Sequence, residues 1–222
     1  MNAPIRPAAT VLLLRRDGGT ARVLMGMRGA KAAFMPSKYV FPGGAVDAGD
    51  AAIALARGLD PRCAERLATD MPDPAAIAAA ALRELAEETG QVIGLAATTP
   101  SDMPGYGERG LAGDASALTY FFRAITPPGR PRRFDAHFFL ADAARLSTPP
   151  DDFGAACDEL SHLHWVALSE ARALDLPFIT EVVLAELSAL VRDIPEGAPI
   201  PCPATVPFFD NRGPAPVFRQ IP

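Results

Sequence analysis

The sequence predicts an α/β protein, and three observations carry that expectation. Two apolar, strand-like stretches flank the turn signal Asp17-Gly18-Gly19. A paired-glycine bend, Phe41-Pro42-Gly43-Gly44, ends a further short strand. A long helical stretch then opens at Asp73-Pro74 and stops at Gly90, with more strand-like segments and a second helix beyond it.

Taken in order, Ala9 to Arg15 and Arg22 to Arg28 read as strands, Phe34 to Lys38 as a loop and Tyr39 to Phe41 as a short strand. Ala51 to Ala68, broken near Gly58 to Pro61, reads as one or two short helices. The next helix has Asp73 as its cap and proline at its first position, and Gly90 suits the residue just past its end. Its span of about 16 residues is roughly 24 Å. Ala78, Leu82 and Leu85 form the face that should pack, a division that Ile77 does not fit cleanly. Leu118 to Ile125, Ala136 to Leu140 and His162 to Val166 read as strands, and Thr180 to Arg192 as a C-terminal helix. From Ile194 the chain is dense in proline, which excludes regular helix. Phe208, Phe209 and Phe218 suggest that this tail packs on something; a disordered tail is the other reading.

The chain of 222 residues suits one domain of residues 1–193 with a sizeable core, followed by the proline-rich stretch 194–222. It is 49% hydrophobic and 21% charged, an ordinary globular balance. A net charge of −5 argues against a general nucleic-acid or membrane-surface binder. Cys63, Cys157 and Cys202 are widely separated and show neither metal-ligand spacing nor a disulfide framework, so they read as reduced thiols of a cytoplasmic protein. No apolar run is long enough to span a membrane.

The chemistry concentrates in Arg83-Glu84-Leu85-Ala86-Glu87-Glu88-Thr89-Gly90. Glu84, Glu87 and Glu88 are spaced i, i+3, i+4 and share one helix face, where like charges repel by about 0.2–0.5 kcal/mol per pair. A merely solvated face more often alternates signs. Such clustering becomes favourable around a hard cation, because Mg²⁺ and Mn²⁺ prefer oxygen ligands. Upstream, Asp47 and Asp50 follow the glycine pair.

A Gly-Gly bend with acidic residues, followed by a helix bearing R-E-x-x-E-E-x-G, resembles the Nudix box, G-x5-E-x7-R-E-U-x-E-E-x-G-U. Gly44 matches the first half, with Asp50 in place of the first Glu; Arg83, Glu84, Leu85, Glu87, Glu88 and Gly90 match the second. The gap between the halves runs from Ala51 to Leu82, an insertion of about two dozen residues, which costs little closure entropy at a surface. Gln91 replaces the final apolar residue. Within that family the chain resembles the coenzyme A diphosphatase branch, whose box is also interrupted. Phe34-Met35-Pro36, Val40 through Asp50, Thr126-Pro127, Arg132 to Asp135 and Phe138 to Leu140 carry that likeness, from about Ala9 to Leu190.

The resemblance implies a Nudix-type α/β/α sandwich, with a mixed sheet between the glutamate helix and the C-terminal helix and a helical insertion at 51–73. It also implies metal-dependent hydrolysis of a diphosphate linkage. Coenzyme A or acyl-coenzyme A would give 3′,5′-ADP and (acyl-)phosphopantetheine; NADH, ADP-ribose or a nucleoside triphosphate is the alternative, and a ligand-binding module without turnover a third. Mg²⁺ or Mn²⁺ would be held by Glu84 and Glu88, with Glu87 in or beside the ligand set and the Gly44 carbonyl completing it. Arg83, four residues before Glu87, can orient that carboxylate, which suits it better than a phosphate contact. Asp158-Glu159 reads either as a polar turn or, at Glu159, as the general base. His162 and His164 alternate on one strand face and could pair as ligands, but such residues are more often surface or satisfied core. For substrate binding, Arg28 holds the first arginine position of the branch's upstream signature, thirteen residues before Phe41. Ala33 and Ser37 stand at its second arginine and glycine positions, so Lys31 and Lys38 would have to compensate. Asp50 joins this candidate set. The implied partner is a small-molecule diphosphate, in a possible homodimer, with the insertion as a wall over the substrate's tail or a dimer contact.

Overall fold

The computed structural model describes residues 3–32, 34–69, 73–213 and 215–222. Ala33, Asp70 to Pro72 of the insertion and Pro214 lie outside the described residues.

The chain opens with a hairpin of β1 (Ile5–Asp17) and β2 (Thr20–Arg28) about the glycine turn. Strand β3 (Tyr39–Val40) pairs with β2, and β4 (Gly43–Ala45) pairs with the first half of β1. The insertion contains a 3₁₀ turn at Asp50–Ala52, then β5 (Leu55–Arg57) and α1 (Pro61–Ala68). Part of the segment expected to be helical is therefore strand. Helix α2 (Pro74–Thr89) matches its predicted ends, because its signals are local: Asp73 accepts a hydrogen bond from the Ala76 N–H at 3.1 Å, and Gly90 takes a left-handed φ of 72°.

Strands β6 (Gly94–Ala96) and β7 (Leu111–Asp114) follow, and β5, β7 and β6 make a small separate sheet. Strands β8 (Thr119–Ile125) and β9 (Arg133–Asp142) lie in the middle of the main sheet and β10 (Leu160–Ala167) at one end of it, and α3 (Phe178–Val191) comes after them. The tail is not an appendage. It forms β11 (Val206–Asp210) and β12 (Val217–Ile221), and the main sheet runs β10-β2-β1-β9-β8-β11-β12. The sheet is mixed: β1 pairs parallel with β9, and β11 parallel with β8.

Alternation along β1 builds the two layers. Val11 and Leu13 point to one side and pack with Ile77, Leu82 and Leu85 of α2. Leu12 and Leu14 point to the other and pack with Val183, Leu184 and Leu187 of α3. Each of these four β1 side chains is fully buried, contributing about 1.5–3 kcal/mol apiece. A helix on each face of a mixed sheet is the expected α/β/α sandwich. Ile77 is buried with the packing face, so α2 is embedded over more of its circumference than its charges suggest. No helix among the described residues is long and apolar enough to cross a membrane.

Candidate active site

Two elements of different origin meet at the site: the bend of β4 and the outer face of α2. Pairing of Ala9 with Gly44 and of Thr10 with Gly43 presses the bend against β1. A Cβ at Gly43 would lie 2.4 Å from the Ala9 carbonyl oxygen and 2.7 Å from Thr10 Cα. A Cβ at Gly44 would lie 2.4–2.5 Å from the carboxylate of Glu84. Glycine at both positions therefore lets backbone and carboxylate approach closely.

Arg83 organises the acidic side. Its Nε and Nη2 donate to the two carboxylate oxygens of Asp50, at 2.8 and 3.0 Å, and Nη1 donates to Glu84 at 2.8 Å and to Glu87 at 3.1 Å. Nη2 also donates to the Ala45 carbonyl at 3.1 Å. Hydrogen bonding to Asp50 is the main cause that raises the Arg83 pKa, so the guanidinium is permanently charged. The expected Arg83–Glu87 pair is present, but Asp50 is the dominant partner.

Asp50 has a side chain only 2% exposed, and its Oδ2 also accepts the Asp47 N–H at 2.7 Å. That burial does not fit its candidate role as a substrate contact: it is the counter-ion that fixes Arg83. Asp47 is exposed, 3.9 Å from Arg83.

Glu88 faces inward and is 1% exposed, although it shares a helix face with the more open Glu87. Its Oε2 accepts the Gly43 N–H at 2.7 Å, whereas Oε1 is buried without a hydrogen-bond partner. Arg28 Nη1 is 4.0 Å from that oxygen, and Arg28 Nη2 is 3.7 Å from Glu159 at the start of β10. Burial pushes the Glu88 carboxyl up to about 8, against the opposing pull of the Gly43 N–H. Burial likewise raises Glu84, opposed by Arg83. Glu87 is the most open of the three, with a side chain 34% exposed.

Five carboxylates (Asp50, Glu84, Glu87, Glu88 and Glu159) thus share two guanidiniums. Among the described residues, no three His, Cys, Asp or Glu side chains converge closely enough to hold a metal ion as they stand. The donor chemistry nevertheless suits a hard dication. A buried, unpartnered carboxylate oxygen on Glu88 and a second carboxylate pressed on the Gly44 backbone are oxygen donors lacking enough positive charge.

The remaining candidates lie apart from this cluster or at its edge. Lys38 pairs with Asp175, and Lys31 is exposed. Ser37, at the signature's glycine position, adopts a left-handed φ of 59°, and Met35 beside it 52°. This is the conformation for which glycine is the default. His162 also has a positive φ, in a bulge of β10 between Ser161 and His164, so the two histidines do not alternate along a regular strand. The residue that sequence reasoning missed is Gly43, whose N–H holds Glu88; the paired glycines were the signal, but only the register of β4 on β1 decides which N–H points inward.

No protein-family model matches the chain. In sequence it is similar to the Caenorhabditis elegans protein "Putative nudix hydrolase 7", 29% identical over 180 residues, which cover 74% of this chain and 52% of the relative. The chain thus spans about half the length of that curated relative. In structure it is similar to a NUDIX hydrolase from Alicyclobacillus acidocaldarius, with a TM-score of 0.64 and 29% identity over 84% of this chain and 92% of that one. The two likenesses support a place in the Nudix hydrolase superfamily, and the mixed α/β fold is the one its members share.

Proposed function

We propose that the chain is a divalent-cation-dependent Nudix diphosphatase that cleaves coenzyme A or acyl-coenzyme A into 3′,5′-ADP and (acyl-)phosphopantetheine. The observation that carries the hydrolase reading is the convergence of Glu84 and Glu88 on the Gly43-Gly44 bend, with a buried Glu88 oxygen left unpartnered. The split between Asp50 and Arg83 supports the coenzyme A branch: the box is interrupted in sequence, and the Arg83–Asp50 pair rejoins its halves in space.

Glu84, Glu88 and the Gly44 carbonyl would hold the cation, Mg²⁺ or Mn²⁺, with Glu87 beside them. When bound, such an ion screens diphosphate charge and lowers the pKa of a coordinated water. Arg83 keeps Glu84 and Glu87 turned to the same side, and Asp50 keeps Arg83 in place. Glu159, exposed at the mouth of β10 and within 3.7 Å of Arg28, accepts the proton of the attacking water at a carboxylate oxygen. Arg28 spans Glu88 and Glu159 and presents its guanidinium to a phosphate oxygen entering between them.

The alternative substrate, a dinucleotide, ADP-ribose or nucleoside triphosphate, draws support from the engagement of Lys38 by Asp175, which removes one of the two lysines expected to compensate the degraded signature. A panel of these compounds with Mg²⁺ or Mn²⁺ separates the possibilities. The expected outcome is release of 3′,5′-ADP from coenzyme A, falling by at least ~10²-fold in Glu87→Gln/Glu88→Gln. Survival of coenzyme A while a dinucleotide is consumed would refute the substrate, and turnover unchanged in the double variant would refute the site.

A further inference from the structure

Cys63 and Cys202 stand 139 positions apart in the chain yet meet in the fold. Cys63 lies on α1, buried at 1%, and its sulfur accepts the Tyr120 N–H at 3.3 Å. Cys202 lies on the stretch leading to β11, is partly exposed, and packs against the hydrophobic cluster that contains Cys63. Arg66, one helical turn after Cys63 and on the same face of α1, fixes the approach. It donates to Cys202 Sγ at 3.6 Å, to the Pro203 carbonyl at 2.9 Å, to the Ala204 carbonyl at 2.5 Å and to the Pro222 carbonyl at 2.9 Å. One arginine thus reads three carbonyls and a thiol of the strap, and holds the strap's sulfur over the helix that carries Cys63.

We propose that Cys63 and Cys202 form a reversible disulfide that locks the C-terminal strap onto the insertion helix. Both cysteines pack in one hydrophobic cluster, the Arg66 guanidinium one turn from Cys63 sits on Cys202 Sγ, and burial is the main cause that pushes Cys63 up to about 11. Cys202, the accessible sulfur, therefore reacts first and Cys63 resolves. The oxidant is a low-molecular-weight disulfide. The Cys202 thiolate attacks one of its sulfurs, forming a mixed disulfide and expelling one small thiol. Cys63, losing its proton, attacks the Cys202 sulfur; the mixed S–S bond breaks and the second small thiol leaves. The protein loses two electrons and two protons, and the oxidant becomes two thiols. Cys157 is exposed beside α2, where its N–H donates to the Glu87 carbonyl, and takes no part. The inference is independent of the substrate reading, because neither sulfur belongs to the glutamate site.

The lock joins two segments already tied to the catalytic frame, α1 through its packing beside α2 and the strap through β11 on β8. The test is oxidation of the full chain with oxidised glutathione in the presence of a chelator, followed by thiol titration under denaturing conditions, peptide mapping and thermal unfolding. Of the 3 thiols in the reduced chain, one should remain, with a linked peptide pair mapping to Cys63 and Cys202. The melting temperature should rise by about 5–10 °C and fall back with dithiothreitol. Cys157→Ser should behave as wild type apart from its missing thiol. Cys202→Ser, a near-isosteric change at a partly exposed position, should show no linked pair and no rise. Three titratable thiols after oxidation, a link that maps to Cys157, or a rise that persists in Cys202→Ser would each overturn the proposal.

Discussion

Replacing Gly44 by alanine should abolish most of the activity while leaving the fold standing, whereas the adjacent Gly43→Ala should cost stability as well. At Gly44 the atoms nearest the new Cβ are those of one side-chain tip, the Glu84 carboxylate, at 2.4–2.5 Å. Ordinary carbon–oxygen contact is about 3.4 Å, so the carboxylate must retreat by about 1 Å, and a side-chain end can do so by small torsional changes. The stability cost should stay below about 1 kcal/mol, partly offset by the lower chain entropy of alanine when unfolded. The functional cost is larger, since a ligand or positioning group moved by about 1 Å costs on the order of 10²-fold in rate. At Gly43 the Cβ would meet the backbone of β1 instead, the Ala9 oxygen at 2.4 Å and Thr10 Cα at 2.7 Å. Backbone cannot yield without breaking the β4–β1 pairing, so that variant should lose about 3 kcal/mol or more. The assay is kcat/KM on the preferred diphosphate, Mn²⁺ titration and urea unfolding for both variants. Gly44→Ala should lose about 10²-fold in kcat/KM and bind Mn²⁺ more weakly at near-native stability. Activity within threefold of wild type would show that the position of the Glu84 carboxylate does not matter, and the site reading would fail.

Two other perturbations test the electrostatics. Arg83→Ala strands the buried Asp50 carboxylate, and breaking such a pair costs about 3–5 kcal/mol; in urea unfolding, Arg83→Ala/Asp50→Asn should be less damaged than the sum of its single variants, and strict additivity would deny the pair. Glu88 supplies a pH dependence whose sign follows from its raised pKa. With a chelator present, the unfolded chain releases this proton near the ordinary glutamate value and the folded chain holds it to about 8. The stabilisation is therefore full below pH ~4.5 and is lost as pH rises through about 8, by up to about 5 kcal/mol. Urea midpoints of Glu88→Gln should lack this decline, and Mg²⁺ or Mn²⁺ should suppress it in the wild type; a pH profile shared by wild type and variant would refute the burial of that charge.

The parts of this fold legible in sequence are those whose causes are local. The ends of α2 follow from Asp73, Pro74 and Gly90, and the β1–β2 hairpin from its glycines, because caps and turns act within a few residues. The three glutamates were visible as a cluster for the same reason. Their unequal burial was not: Glu88 and Glu87 are neighbours in sequence, yet one lies under the β4 bend and the other opens to solvent. That difference arises from β4 on β1, a pairing made by only three residues of each strand. The small sheet of β5, β6 and β7 escaped for a related reason, since segments of three or four residues are too short to show a period. In the tail, proline density masked the alternation of Val206, Phe208 and Asp210, whose side chains are buried while Pro207 and Phe209 are half-buried.

The same logic explains how Asp50 and Arg83 meet across the 32 residues between them. What the site needs from Asp50 is a fixed carboxylate under the guanidinium, and the bidentate contact supplies it whatever the length of chain between them. Both ends of the excursion are anchored independently of its interior: Asp50 by Arg83 and the Asp47 N–H, Asp73 by its cap on Ala76. Lengthening a loop between fixed ends adds only about 0.6 kcal/mol per doubling, a cost that does not reach the geometry of the ends. The interior is then free to acquire its own contacts, and it has done so through Arg66, which receives the strap rather than the glutamate helix. Insertion and tail therefore hold one another through Arg66, while the carboxylates keep their own short-range connections through Arg83 and the Gly43 N–H.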